Sequence, residues 1–186
     1  MSGLTPQVSQ TWHADEMRIG VDGNLRNLWN LMDHRTRYLL AIQVTKRKGA
    51  AEVKRLLDSG LQASKRTKLT LISDGLASYH KAVADYSREK GPTIRHRADT
   101  ALAKRDSNNR LERLNETVRQ RIKTMRGLDN DRSSRIFARG FAAYYNHVRP
   151  HSTLKGKTPG EAAKAWKPTG TNRWLSLIRY DRRREV

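Results

Sequence analysis

The first part of the chain alternates short apolar runs with turn residues, a pattern typical of paired β-strands. The segment from Thr11 to Val21 predicts a strand with apolar residues at Trp12, Ala14 and Met17. Val21 to Asn24 contains the dipeptides Asp-Gly and Gly-Asn, which favour tight hairpins. Leu25 to Met32 predicts the returning strand, although its spacing also fits a helix, and the almost wholly apolar Tyr38 to Val44 predicts a third, buried strand. Together these segments predict an antiparallel meander.

After the meander, helical and strand patterns alternate. Apolar residues recur at helical spacing from Ala50 to Ala63 and again from Tyr79 to Glu89. Short strand patterns run from Leu69 to Ile72 and from Thr93 to Arg97. The fold class is therefore α/β, with a mixed five-stranded sheet, antiparallel on one side and parallel on the other, and flanking helices.

The stretch from Ser107 to Arg126 has a long amphipathic helical pattern. Its apolar face consists of Leu111, Leu114, Val118, Ile122 and Met125. Ser107 is the predicted N-cap, and Gly127 ends the pattern. A neighbouring stripe at the exposed margin consists of Glu112, Asn115, Glu116 and Arg119. An acid beside a row of cations suits a metal ion next to phosphates; the alternative is that Glu112 and Glu116 form ordinary salt bridges on the helix surface.

The remaining segments complete the predicted organisation. Ser133 to His147 predicts a helix with a packing face at Ile136, Phe137, Phe141 and Tyr144 or Tyr145. Thr158 to Glu161 is a capping box with proline at the first helical position, which opens a short helix through Ala165. The charged residues 98–109 predict a loop. We divide the chain into a disordered or fragmentary segment at residues 1–11, a core domain at 12–166 and a basic C-terminal tail at 167–186.

Charge narrows the choice of partners. The 186 residues include 38 Lys and Arg against 18 Asp and Glu, a formal net charge of +20. The cations are spread along the whole chain, which favours a folded surface that binds nucleic acid; a ribosome-type binder is the alternative. The absence of cysteine excludes disulfides and thiolate-bound zinc. Without a signal-peptide pattern or a membrane-length apolar run, the sequence predicts a cytoplasmic protein with no membrane partner.

Three acids are candidate metal ligands. Asp15 lies within the first strand, Asp74 follows the short central strand, and Glu112 lies early in the later helix. The predicted sheet makes the strands of the two aspartates neighbours, and ligands commonly bind at the carboxyl ends of parallel strands. Carboxylates favour hard cations, so we expect two Mg²⁺ or Mn²⁺ ions. The alternatives are that Asp15 is a strand-edge acid, with Glu16 pointing outward, and that Asp74 forms a turn or an N-cap.

The order Asp15, Asp74, Glu112 resembles the D-D-E triad of the retroviral-integrase-like transposases. The 38 positions between the last two acids are close to that family's short spacing. Ser73-Asp74-Gly75 followed by Ala77-x-Tyr79 resembles the D-x-x-x-x-Y segment of insertion-element transposases. The segment from Tyr145 to Pro159 resembles their Y-N-x-x-R-P-H…L…K-T-P signature. The resemblance covers about Trp12 to Ala165. Within the family, the sequence is similar to those of archaeal and bacterial insertion-element transposases.

The resemblance implies a ribonuclease-H-like catalytic core that cuts and joins DNA strands through Asp15, Asp74 and Glu112 with two Mg²⁺ or Mn²⁺ ions. Arg119 stands where the family carries a basic residue that contacts DNA. Four further residues are assigned to DNA binding: Lys123, Arg110, Arg149 and His151, the last of which alternatively orders a turn. The resemblance implies that the partners are transposon ends and target DNA. It also implies a homodimer or higher oligomer on DNA and a location at the nucleoid. Family members normally carry an N-terminal DNA-recognition region, whereas only about ten residues precede Trp12 here, so the resemblance does not extend to recognition of the element's ends.

Two rival functions remain open at this point. One is a non-catalytic DNA-binding protein, including a decayed transposase that still binds DNA. The other is a ribonuclease-H-like nuclease, which shares the metal site and differs in substrate.

Overall fold

A five-stranded sheet with helices on both faces organises the chain. The computed structural model describes residues 5–89, 91–98 and 109–182. The strands are β1 (Thr11–Val21), β2 (Asn24–Asp33), β3 (Leu39–Thr45), β4 (Lys68–Ser73) and β5 (Thr93–Ala98). The helices are α1 (Ala50–Ser64), α2 (Ala77–Arg88), α3 (Asn109–Thr124), α4 (Asp131–His147), α5 (Pro159–Ala162) and α6 (Arg173–Arg182), with a 3-10 turn at Ser152–Leu154. The predicted mixed sheet with flanking helices is confirmed.

The strand order is β3-β2-β1-β4-β5. β1 pairs antiparallel with β2 from Trp12 opposite Asp33 to Val21 opposite Asn24. Asp22 and Gly23 both have positive φ, 50° and 68°, as the tight hairpin turn between twisted strands requires. The hairpin predicted from the Asp-Gly pair is therefore present, and β2 is a strand rather than a helix.

β1 and β4 are parallel neighbours over a short distance. Their register runs from Thr11 opposite Thr70 to His13 opposite Ile72. Beyond this point β1 continues alongside β2, whereas β4 ends at Ser73. The two strands therefore part at their carboxyl ends, and we term the region between these ends, where the two predicted aspartates stand, the cleft.

Alternating residues of β1 face two separate cores. On one face Trp12 and Ala14 pack in a cluster with residues of α1 and α2. On the other face Met17 and Ile19 pack in a cluster with residues of α3 and α4. Gly60 lets α1 lie close to the sheet, because a Cβ atom there would stand 2.4 Å from Leu31 Cδ2. By parity, Asp15 belongs to the α3 face and Glu16 to the α2 face.

The structure differs from the sequence predictions at several places. In the segment predicted to be disordered, Val8 is buried and the Gln7 N–H donates to the Ala163 carbonyl at 2.7 Å, so residues 5–10 pack against the domain. A single apolar residue among polar ones leaves no periodic signal. Ile136 and Met125 are 60% and 52% exposed, off the predicted packing faces. The predicted Ser107 cap, and the predicted loop at 98–109 except for its two end residues, lie outside the described residues.

The C-terminal region docks on the domain at α6. Leu177 is buried, and the Trp174 ring stacks on Tyr144 with 6.2 Å between ring centroids. α4 begins at a capping box formed by Asn130 and Ser133, and α5 begins at the predicted box of Thr158 and Glu161. Among the described helices, none is long and apolar enough to cross a bilayer.

Candidate active site

Asp15 and Asp74 meet where β1 and β4 part. Asp15 lies two residues beyond the last β1–β4 pair, and Asp74 directly follows β4. One carboxylate oxygen from each, together with one from Glu16, lies within 4.8 Å of the other two. The predicted convergence of the two aspartates is thus observed. Three carboxylates at this separation form a set of oxygen donors that suits a hard divalent cation.

Asp15 is held in place by a buried amide. The Asn115 side chain on α3 donates to Asp15 Oδ2 at 2.7 Å and accepts from the Asn30 amide on β2 at 2.8 Å. Asn115 and Asn30 are 3% and 0% exposed. Asn115 was predicted at the exposed margin of its helix, so this role was missed. Asn115 lies one position from the apolar stripe of α3. Its position alone does not show that it is buried, because its hydrogen-bond partners lie in other segments of the chain.

The electrostatics of Asp15 favour a cation. The pKa of Asp15 is raised from 3.8 to about 6, chiefly by burial and also by the negative charges of Glu16 and Asp74, while hydrogen bonds from the Glu16 backbone and the Asn115 side chain partly lower it. The carboxylate group therefore ionises at a cost, because two other acids crowd the same space. A bound divalent cation removes that cost, so the residues present fit the ions that the sequence predicts.

Replacing Asp15 with asparagine should stabilise the metal-free protein near neutral pH. Since the pKa of Asp15 is about 6 in the folded chain and 3.8 ordinarily, the folded state holds this proton more tightly than the unfolded state. The charged form therefore destabilises the fold as the pH rises through about 6. We expect the variant to gain roughly 1–2 kcal/mol in unfolding free energy at pH 7, less than the full shift because of partial exposure, and nothing below about pH 4.

Denaturant unfolding in EDTA at the two pH values measures this gain. Asparagine keeps an oxygen that can accept from the Asn115 amide, so the hydrogen bond is matched between the two proteins. An equal gain at both pH values would show that the charge of Asp15 is not the cause.

Glu16 is the acid that sequence reasoning missed, because strand alternation marks it as pointing outward. Its side chain is 7% exposed, pairs with Lys48 Nζ at 2.5 Å and accepts from the Tyr79 hydroxyl at 3.2 Å. Tyr79 is fully buried in α2 and packs edge-on against Trp29. This contact gives the tyrosine of the Asp74–Tyr79 segment a physical role, which is to orient an acid beside Asp15. An acid next to Asp15 in the same strand was the available signal.

Glu112 stands apart from this group. It is exposed in the first turn of α3, and among the described acids the set within 4.8 Å comprises Asp15, Glu16 and Asp74. Asn115, which contacts Asp15, follows Glu112 by three residues, so the two lie on neighbouring positions of one helix face. The predicted third ligand therefore lies about one helical turn before the residue that contacts Asp15, and its assignment as a metal ligand stays a prediction.

The predicted DNA-binding residues fall into two places. Arg110, Arg149 and His151 line a single pocket. Arg119 and Lys123 are exposed on later turns of α3. Glu116 pairs with Arg119 at 3.7 Å, with both side chains more than half exposed, so the surface salt bridge considered for this helix exists at that position. Exposed pairs of this kind contribute little to stability.

The solved structures that this chain resembles include retroviral integrase cores. The chain is similar to a chain of the simian T-cell lymphotropic virus intasome in complex with PP2A regulatory subunit B56 gamma, with TM-score 0.65 and 17% identity over 89% of this chain and 57% of that one. It is similar to the HTLV-2 integrase catalytic core domain in complex with magnesium, with TM-score 0.59 and 15% identity over 87% and 99%. For the BIV integrase catalytic core, the values are 0.63 and 18% over 84% and 94%.

The sheet order, the flanking helices and these neighbours define a ribonuclease-H-like fold of the integrase-core class. Residues 9–151 match the family model of a DDE domain. The chain therefore belongs to the DDE-domain family of transposases, which at the level of the family indicates polynucleotidyl transfer. It spans 57% of the length of the intasome chain that it resembles. No curated protein sequence matches it.

Proposed function

We propose that this chain is the catalytic domain of a DNA transposase, which cleaves DNA strands and transfers them to a target. The observation that carries the proposal is the meeting of Asp15 and Asp74 at the carboxyl edge of the parallel strands. Asp15, Asp74 and Glu112 would hold two Mg²⁺ or Mn²⁺ ions. When bound, such ions activate the attacking water or 3′-hydroxyl and stabilise the leaving oxygen.

The chain's own residues position the reaction. Asn115 fixes one carboxylate oxygen of Asp15, while Tyr79 and Lys48 orient Glu16. Arg119 and Lys123 would contact the phosphate backbone, and the net charge of +20 supports a DNA affinity that falls steeply as salt rises. Because transposition joins two ends, we further propose that the active form on DNA is a dimer or higher oligomer, at the nucleoid.

Nicking of supercoiled plasmid tests the proposal. We expect the purified protein with Mn²⁺ to convert supercoiled plasmid to open circles, and EDTA to stop the conversion because the acids then have no ion to hold. The measurement is gel separation of the plasmid forms over time.

The two rival functions give different results in the same assay. Binding of the plasmid without any metal-dependent nicking would indicate a non-catalytic DNA-binding protein. Cutting of RNA–DNA hybrids or junctions, with no joining of DNA ends to a target, would indicate a ribonuclease-H-like nuclease.

A further inference from the structure

Four arginines converge on a pocket of about 180 Å³ beside the first half of α3. They come from three separate parts of the chain, namely Arg37 between β2 and β3, Arg110 and Arg113 in α3, and Arg149 after α4. Thr117, Ser152 and Thr153 also line it. In the described part of the chain, no lining residue is acidic. A pocket lined by four cationic side chains and no carboxylate favours the binding of an anion.

The pocket carries an uncompensated positive charge. Burial lowers the pKa of Arg37, and the charges of Arg110 and Arg113 lower it further, against a raising contribution from Tyr145. Burial, with the charges of Arg149 and Arg37, lowers the pKa of His151 to about 4, so this ring is neutral at physiological pH. The buried Nε2 atom of His151 has no hydrogen-bond partner within residues 5–89, 91–98 and 109–182. An anion in the pocket would relieve the repulsion between the arginines and supply the missing polar contacts.

A chain of contacts joins the pocket to the strand of Asp15. The Arg110 guanidinium donates to His34 Nδ1 at 2.6 Å, and His34 Nδ1 lies 2.9 Å from His13 Nε2. Because an arginine can only donate, His34 Nδ1 is the acceptor in both contacts. His13 precedes Asp15 by two residues and so lies on the same face of β1. The pocket therefore lies on the same face of the sheet as the Asp15 carboxylate.

We propose that this pocket binds a terminal phosphate monoester at the end of a DNA strand, in preference to an internal phosphodiester. A diester carries one negative charge and two non-bridging oxygens. A monoester carries about −1.5 to −2 at pH 7 and offers three terminal oxygens. Four guanidinium groups, each able to donate two parallel hydrogen bonds, favour the monoester over the diester, because the monoester carries more negative charge and one more terminal oxygen. The inference rests on the proposed function in taking DNA as the substrate.

Fluorescence anisotropy with matched oligonucleotides tests the preference. Strands of one sequence would carry a 5′-phosphate, a 3′-phosphate or hydroxyls at both ends, and all binding would be measured in EDTA. We expect the wild-type protein to bind one of the two phosphorylated strands, either the 5′ or the 3′ form, roughly tenfold more tightly than the strand with hydroxyls at both ends. Arg149→Gln and Arg113→Gln should each reduce that ratio to about one. Arg135→Gln, an exposed arginine of α4 outside the pocket, removes the same charge and should leave the ratio unchanged.

Thermal melting accompanies each variant and distinguishes a folded protein without the preference from an unfolded one. Equal binding of all three strands by the wild type, or a preference that survives both pocket variants, overturns the assignment. If inorganic phosphate raises the melting temperature while the strands bind equally, the pocket serves a free anion and the DNA-end assignment is also wrong. Because EDTA prevents cutting, these results are independent of the plasmid nicking that tests the proposed function.

Discussion

Replacing Asp74 with asparagine should abolish strand cleavage and strand transfer while the protein still folds and binds DNA. Asp74 has two separable roles. Its Oδ1 atom accepts from the Leu76 N–H at 3.1 Å, a turn contact that asparagine can also make. Its negative charge, in contrast, is what a divalent cation would require, and the neutral amide lacks it. We therefore expect the turn before α2 to persist and activity to fall by roughly three orders of magnitude or more.

Asp129 provides the matched control for this substitution. It is exposed between α3 and α4, away from the acidic group, so Asp129→Asn removes the same charge without touching the cleft. Plasmid nicking and strand transfer in Mn²⁺ measure activity, and anisotropy in EDTA measures DNA binding. Activity retained in Asp74→Asn would remove Asp74 from the triad and leave it as a turn residue.

Replacing Glu112 with glutamine should likewise reduce activity by roughly three orders of magnitude, if it is the third metal ligand. Glu16→Gln should have a much smaller effect, about tenfold or less, because glutamine keeps an oxygen that can accept from Tyr79 and loses only the pairing with Lys48. The two substitutions are equal in size and in charge removed. Comparing them therefore decides which glutamate completes the site.

Glu116→Gln is the control on the same helix. Glu116 is exposed, accepts from Gln120 and pairs with Arg119, so its loss should leave activity near the wild-type level. Activity and Mn²⁺ binding, the latter by isothermal titration calorimetry, would be measured for all three variants. Inactivity of Glu16→Gln with full activity of Glu112→Gln would assign the ions to the three acids that already lie within 4.8 Å of one another.

Much of the fold could be predicted from local patterns. Strand alternation and the Asp-Gly turn predict the β1–β2 hairpin, and the change to helical spacing predicts the parallel half of the sheet. The meeting of Asp15 and Asp74 followed from the same sheet, because β1 and β4 had to be neighbours. Each of these signals is contained within a few residues of the chain or in the order of its elements.

The contacts that were missed join residues distant in sequence. Asn115 is buried because Asn30 and Asp15, 85 and 100 positions away, meet its amide. Glu16 turns inward because it accepts a hydrogen bond from Tyr79 and pairs with Lys48, which belong to two other segments of the chain. Periodicity places such residues on a face but does not identify the side chain opposite. Ile136 shows the converse, since it fits the apolar period of α4 and yet lies 60% exposed.

The amide of Asn115 also mechanically couples two functions of α3. Its hydrogen bond links the helix to Asp15. Glu112 lies one turn earlier in the same helix, and Arg110 and Arg113 of this helix line the pocket. Any tilt of α3 therefore displaces Glu112 and the two arginines together. Seating a strand end among the arginines would therefore also displace Glu112, so that, under the proposed function, binding of the strand end and the approach of the third acid to the metal ions would be one movement of α3.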